Sequence, residues 1–176
     1  MKRLIALLVL TCAAASAAAR PANDVTLPVT LRAATLQHGQ YVWESRSAST
    51  GPLFVVISLT SQRAMVYRDG VLIAASTIST GSKDRETPTG VFPILEKQLV
   101  HRSGTYDNAP MPYMQRLTSK GVALHAGNLP GFAASHGCIR LPESFANFLW
   151  NTTKMNTRVI VTAGLRAAKP SGTTDA

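Results

Sequence analysis

Ser135-His136-Gly137-Cys138 sets a thiol one residue after a glycine and two after an imidazole, and a second imidazole, His125, lies 13 residues upstream. A thiol attacks carbonyls as the thiolate, so it needs a base or a positive charge beside it. The chain has one other cysteine, Cys12, inside a segment that reads as a removable leader. Cys138 then has no internal partner for a disulfide, and its presence needs another explanation. Gly137 lets backbone approach a substrate with no side chain in the way. The amides of Gly137 and Cys138 are candidates to hold a developing oxyanion. On an extended chain Arg140 falls on the same side as Cys138, where a guanidinium could grip a substrate carboxylate through two hydrogen bonds. Nucleophilic catalysis by Cys138 is the leading reading.

Sequence alone does not choose between His125 and His136 as the base. If the strands ending in His125 and starting at Cys138 are neighbours, the loop between them can bring His125 to the sulfur. His136 would share the cysteine's face on an extended chain. Blander readings stand beside these. Cys138 could be a small buried hydrophobe, and both histidines could be core residues bonded to backbone. A Cys-His-His set could also bind zinc as a redox or metal sensor, but no fourth ligand has suitable spacing. Zinc would then need a catalytic open site; with a thiolate and a histidine supplying nucleophile and proton transfer, no metal or organic cofactor is expected.

The elements that must position these groups are mostly strands. Leu53–Leu59 is β-branched and apolar and reads as a buried strand. Arg63–Arg68 and Val71–Ser76 flank Asp69-Gly70, a strong hairpin signal, so the three runs form an antiparallel meander. Thr87-Pro88-Thr89-Gly90 turns the chain into a strand over Val91–Leu95, where Pro93 removes a donor and calls for an edge or a bulge. Residues 101–120 are broken by His101, Gly104, Asn108, Pro110 and Pro112 and read as a long irregular loop, usually functional or mobile. Gly121–His125, Cys138–Leu141 and Arg158–Thr162 are further strands. One helix follows Pro142 and Glu143, with Phe145, Phe148 and Leu149 on one apolar stripe. The fold class is mainly β, with one or two short helices against the sheet.

Residues 1–19 have the three parts of a secretory signal: Lys2 and Arg3, the apolar run Leu4–Leu10, and Ala17-Ala18-Ala19. The expected location is periplasmic or secreted, with no stable membrane insertion, since the apolar run is too short to span a bilayer. Residues 20–52, rich in Pro, Gly and Ser, read as an extended lead-in or short strands, among them Val25–Leu27 and Tyr41–Trp43. Residues 53–163 are the main domain and 164–176 a disordered tail. The 176 residues carry 18 basic and 9 acidic side chains, a net charge of +9. The basic residues are scattered and not interleaved with aromatics, so no nucleic-acid partner is expected. Outside the cytoplasm such a charge draws a protein to anionic wall polymers.

Ser135-His136-Gly137-Cys138-Ile139-Arg140, with an upstream strand ending in His125, resembles the active-site signature of the YkuD-type L,D-transpeptidases, bacterial cell-wall enzymes of mostly β fold. Val56-Ile57-Ser58-Leu59 with Gln62, Ser79-Thr80-Gly81, Thr87–Phe92 and Met111-Pro112-Tyr113 are similar to that domain in the same order. The resemblance covers roughly residues 53–163 and implies a YkuD-like β-sandwich or barrel. It implies Cys138 as nucleophile and His125 as general base and acid, the latter bonded to the carbonyl of Ala126. His136 and Gly137, with Ser135 in the same signature, would shape the oxyanion site. Arg140 would face the substrate and Tyr113 would close over the acyl group. Nine residues separate His125 from Ser135, fewer than in many family members; Gly127, Pro130 and Gly131 suit a shorter loop.

The resemblance further implies attack on a diaminopimelate carbonyl of a peptidoglycan tetrapeptide stem, release of D-alanine, and transfer of the acyl group to an amine. Carbapenem-type β-lactams would acylate the same thiol. Water as acceptor would give a carboxypeptidase or endopeptidase, and a protein lysine would give lipoprotein attachment. A wall-binding module without catalysis is the rival from another class.

Overall fold

The computed structural model describes residues 27–44 and 50–164. The leader, Val25-Thr26 and nearly all of the tail lie outside the described residues. Twelve elements follow in order: α1 (Val29–Ala34), β1 (Tyr41–Trp43), β2 (Leu53–Ser58), β3 (Arg63–Arg68), β4 (Val71–Thr77), β5 (Gly90–Pro93), β6 (Glu96–Gln98), β7 (Met114–Arg116), β8 (Ala123–Ala126), β9 (Ile139–Leu141), α2 (Glu143–Thr152) and β10 (Arg158–Thr162). They build a six-stranded sheet in the order β1-β4-β3-β2-β10-β5 and a four-stranded sheet in the order β6-β7-β8-β9. No helix among the described residues is long and apolar enough to cross a membrane.

The meander β2-β3-β4 is antiparallel, as its turn chemistry requires. Asp69 and Gly70 both take positive φ, 50° and 76°, the conformation a two-residue hairpin with the right twist needs. Strand β5 pairs only with β10 and ends the sheet, so the missing donor of Pro93 falls on an edge. Between the sheets lies one continuous core: Val55 and Ile57 from β2, Leu124 and Ala126 from β8, Ile139 and Leu141 from β9, and Phe145 and Leu149 from α2. Phe145 is completely buried, with Trp43 edge-on to it at 5.4 Å. Phe148 is more exposed than its stripe suggests, yet stacks on Trp43 at 5.5 Å. Pro142 sits just ahead of the first turn of α2, where no helical N–H is lost.

Three elements, α1, β6 and β7, differ from the sequence reading. Residues 29–34 form a helix, not extended chain; Leu31-Arg32-Ala33-Ala34 are good helix formers, and α1 covers the outer face of the large sheet through Val29, packed with Val42 and Ala75. Tyr41–Trp43 is a short strand as read from the sequence, and it pairs antiparallel with β4 at the edge of the large sheet. The stretch 101–120 contains β7, and β6 precedes it; both are three residues long, too short for alternation to show.

Candidate active site

Strands β8 and β9 run parallel, with Leu124 opposite Ile139, His125 opposite Arg140 and Ala126 opposite Leu141. Leu124, Ala126, Ile139 and Leu141 all point into the core, so His125 and Arg140 are turned together to the other face. A parallel pair needs a crossover of about a dozen residues, and the short loop after His125 supplies it. The loop is tied down where Ser79 Oγ donates to the Phe132 carbonyl at 2.7 Å. On the outer face of the small sheet a cleft of about 940 Å³ opens, lined by His125, Cys138, Arg140, His136 and Ser135 among others. Tyr113 is not among its walls; at φ 59° its side chain leans on the main core instead. The aromatic at the mouth is Tyr106, whose ring stacks on His136 with centroids 4.3 Å apart and planes 11° from parallel. Nothing in the sequence marked Tyr106, which lies in the irregular stretch.

His125 is buried, and its Nδ1 lies 2.8 Å from the Ala126 carbonyl. A carbonyl only accepts, so Nδ1 carries the proton and Nε2 keeps its lone pair. Burial lowers the His125 pKa; the Ala126 hydrogen bond works against this, and the charges of Arg140 and His101 add to the lowering. The ring is therefore neutral, and a proton acceptor, at neutral pH. His136 is exposed and held against Tyr106, away from such a setting.

Cys138 is the free cysteine among the described residues. It packs against Met111, Met114 and Ala123, an apolar floor. Its Sγ–H donates to the Gly121 carbonyl at 3.7 Å. Burial pushes the thiol pKa up, and the Ala123 amide and the charge of Arg140 pull the other way without overcoming it. The methionine and alanine neighbours thus work against ionisation of the thiol, with Arg140 the one positive charge that favours it. Ionisation has to come with proton transfer to a base.

The backbone around the thiol is braced from behind. Gly137 has φ 113°, a conformation that favours glycine. Its N–H donates to Ser135 Oγ at 3.1 Å, and Ser135 Oγ–H donates to the Cys138 carbonyl at 2.5 Å. That corrects the expectation that the Gly137 amide is an oxyanion donor: Ser135, buried beneath the turn, already occupies it. The Cys138 amide has no acceptor among the described residues. The Gly137 carbonyl accepts from Thr87 Oγ1 at 2.9 Å, and Thr87 Oγ1 accepts from the Gly81 amide at 2.9 Å. Residues 79–82 run beside 135–140, with Ser79 and Arg140 exchanging both backbone bonds. Gln62 in turn holds Thr80 through Nε2 at 2.6 Å and Oε1 at 2.9 Å. A Cβ on Gly81 would lie 2.1 Å from the Arg85 carbonyl, so only glycine fits there. Gln62, Ser79-Thr80-Gly81 and Thr87 are thus one scaffold for the Gly137-Cys138 peptide.

The cleft is basic. Arg102, Arg116, Lys120 and Arg140 line it against a single carboxylate, Asp107. Among the described residues no three His, Cys, Asp or Glu side chains converge as metal ligands. The arrangement offers a thiol, a neutral imidazole of fixed tautomer, an uncommitted amide at the thiol-bearing residue, and cationic walls for an anionic substrate.

The sequence profile of the YkuD L,D-transpeptidase catalytic domain matches residues 52–161. Among solved structures, an L,D-transpeptidase from Stackebrandtia nassauensis is 26% identical with a TM-score of 0.61, covering 81% of this chain and 68% of that one. One from Xylanimonas cellulosilytica is 26% identical with a TM-score of 0.59, covering 66% and 62%. An LD transpeptidase in complex with imipenem is 25% identical with a TM-score of 0.57, covering 62% and 58%. The chain spans about three-fifths of the length of several such structures. No curated protein matches it.

Proposed function

Since the chain belongs to the family of L,D-transpeptidase catalytic domains, we propose that it is a peptidoglycan L,D-transpeptidase with Cys138 as nucleophile and His125 as its base. The observation that carries the reading is that the imidazole of His125, its Nδ1 fixed on the Ala126 carbonyl, and the Cys138 thiol line one cleft. Nε2 takes the Sγ proton as sulfur attacks the diaminopimelate carbonyl of a donor tetrapeptide stem; the C–S bond forms and the Cys138 amide receives the oxyanion. Collapse breaks the C–N bond, and His125 returns the proton to the departing D-alanine amine. An acceptor amine then attacks the thioester, forming the new amide and restoring the thiol. Arg140, across from His125, holds a stem carboxylate near the reacting carbonyl.

An LD transpeptidase similar to this chain was solved with imipenem, and another structure, 26% identical, is an avibactam carbamoyl enzyme. Carbapenem acylation of Cys138 is therefore part of the proposal. So is export to the compartment that holds the wall, which rests on residues 1–19 alone. Incubation with a tetrapeptide-containing muropeptide tests the reading. The parent should form a Cys138 acyl-enzyme and cross-linked dimer, and Cys138→Ala should form neither while unfolding at the parent's temperature. Turnover surviving in Cys138→Ala would remove the mechanism.

A further inference from the structure

A second imidazole, His101, lines the same cleft and takes no part in the chemistry above. It follows β6, in the irregular stretch, and its Nδ1 is 2.7 Å from Gln98 Oε1. Gln98 Nε2 donates to Glu96 Oε1, and Glu96 Oε2 pairs with Arg116 Nε at 2.6 Å. The direction of this chain is forced. Glu96 is an acceptor, so Gln98 must present its NH2 to Glu96 and its oxygen to His101. The Gln98 oxygen only accepts, so Nδ1 of His101 is protonated and Nε2 is the nitrogen left for the cleft. A relay of three side chains anchored on Arg116 thus sets the His101 tautomer, as the Ala126 carbonyl sets that of His125. The two rings are near enough for His101 to affect the proton affinity of His125.

Amide transfer to an amine requires two proton removals. The acceptor arrives as R–NH3+ and must lose one proton to become a nucleophile. It loses another once the C–N bond forms, and the departing thiolate takes that one back through His125. His125 serves the sulfur in both half-reactions, leaving the first deprotonation without a base. We infer that His101 Nε2 is that base: it takes a proton from the acceptor ammonium, freeing R–NH2 to attack the Cys138 thioester, and releases the proton to solvent. The balance is R–NH3+ plus thioester giving amide, thiol and one solvent proton. The inference rests on the transpeptidase reading and deepens it, since a base for the acceptor favours amine over water, which needs no prior deprotonation. The charged or titratable groups that share the cleft with His101 are Arg102, Tyr106, Asp107, Arg116, Lys120, His125, His136, Cys138 and Arg140, with Glu96 behind Arg116.

The test is His101→Gln in the full chain, with the tetrapeptide muropeptide as donor and acceptor and imipenem as a separate probe of acylation. Acylation by imipenem should continue in the variant, while dimer formation at pH 7 falls about 100-fold, the low end for loss of a general base. Raising the pH to about 9.5, where an amine of pKa up to about 9 is largely free and one of pKa near 10 is about 100-fold more free than at pH 7, should bring dimer formation back toward the parent. A defect of packing alone would show no such recovery. Gln98→Leu, which keeps the imidazole and unties Nδ1, should give a smaller defect in dimer formation at pH 7. Equal dimer formation by parent and His101→Gln at pH 7, or a loss that high pH does not restore, overturns the role of His101 alone. A parent that imipenem and muropeptide both fail to acylate overturns the reading of Cys138, and this inference with it.

Discussion

Thr87→Val separates the scaffold from the chemistry it supports. Thr87 is 3% exposed, and its hydroxyl donates to the Gly137 carbonyl and accepts from the Gly81 amide. Valine keeps the shape and removes both bonds. The Gly137 carbonyl is left buried and unpaired, which costs about 1–3 kcal/mol, and the half-buried Gly81 amide adds about 1 kcal/mol. A loss of roughly 2–4 kcal/mol follows, read as a fall in Tm of roughly 8–16 °C for a domain of this size. The kinetic consequence is more specific. The Gly137 carbonyl and the Cys138 amide belong to one planar trans peptide and point in opposite directions. Thr87, by holding the carbonyl, therefore aims the amide assigned to the oxyanion. A donor of that kind is worth about 100- to 1000-fold in rate, and a partly rotated peptide should lose about 10- to 100-fold. Imipenem acylation followed by intact mass well below the Tm measures it, and Thr87→Ser should restore both quantities. If Thr87→Val loses stability but acylates at the parent's rate, the amide is not aimed by this contact and the oxyanion assignment is wrong.

Lys97 Nζ donates to the Trp150 and Thr153 carbonyls at 2.6 and 2.7 Å, at the C-terminal end of α2, and its ammonium lies 4.5 Å from the centre of the Trp150 ring. Lys97→Met should cost about 1–2 kcal/mol in urea unfolding through the lost charge at a helix end, with imipenem acylation unchanged. Stability should also depend on pH in two windows. Burial lowers the His125 pKa from 6.5, so the unfolded chain binds the proton first as pH falls, and the stability present above 6.5 is lost on going below it. Burial raises the Cys138 pKa from 9.0, so its contribution is present below 9.0 and lost as pH rises past it. Urea midpoints across pH 5–10 for the parent and Cys138→Ala check this; an alkaline fall of equal size in both would refute the cysteine part. The acid limb of the acylation rate should lie below 6.5, since His125 stays neutral there, and a limb above 6.5 would contradict its burial.

The strands that carry the site were legible because each has a local cause. Asp69-Gly70 dictates its own turn, Pro93 excludes itself from a central strand, and alternation about Ile139 and Leu141 turns Arg140 toward the cleft. Resemblance, not periodicity, marked Gln62 and Ser79-Thr80-Gly81, turn chemistry marked Thr87-Pro88-Thr89-Gly90, and the structure supplies the physical reason they travel together: Gln62 holds Thr80, the Gly81 amide bonds Thr87, and Thr87 holds the Gly137 carbonyl. What stayed hidden depends on contacts between distant segments. Strand β7 pairs with β6 across a loop, and three residues carry no period. Tyr106 meets His136 only because that loop folds back over the cleft. The state of the thiol was hidden for the same reason. Its motif argues for a thiolate, but its pKa depends on Met111, Met114 and Ala123, brought beneath it by β7 and β8.

A neutral pair has a consequence for selectivity. A thiolate held at rest would react with any soft electrophile that entered the cleft. On the proposed mechanism, a half-buried thiol that ionises only as His125 takes its proton reacts when a carbonyl is already seated and its oxyanion has a donor. The apolar floor that raises the thiol pKa therefore restrains the free enzyme, and the cationic walls determine what can be seated. Iodoacetamide should alkylate Cys138 slowly at neutral pH relative to an exposed thiol, with the rate rising steeply above pH 9. Replacing Met114 with Gln, which sets a polar group beneath the sulfur, should shift that rise to lower pH; an unchanged alkylation profile would show that burial on this floor is not what holds the proton.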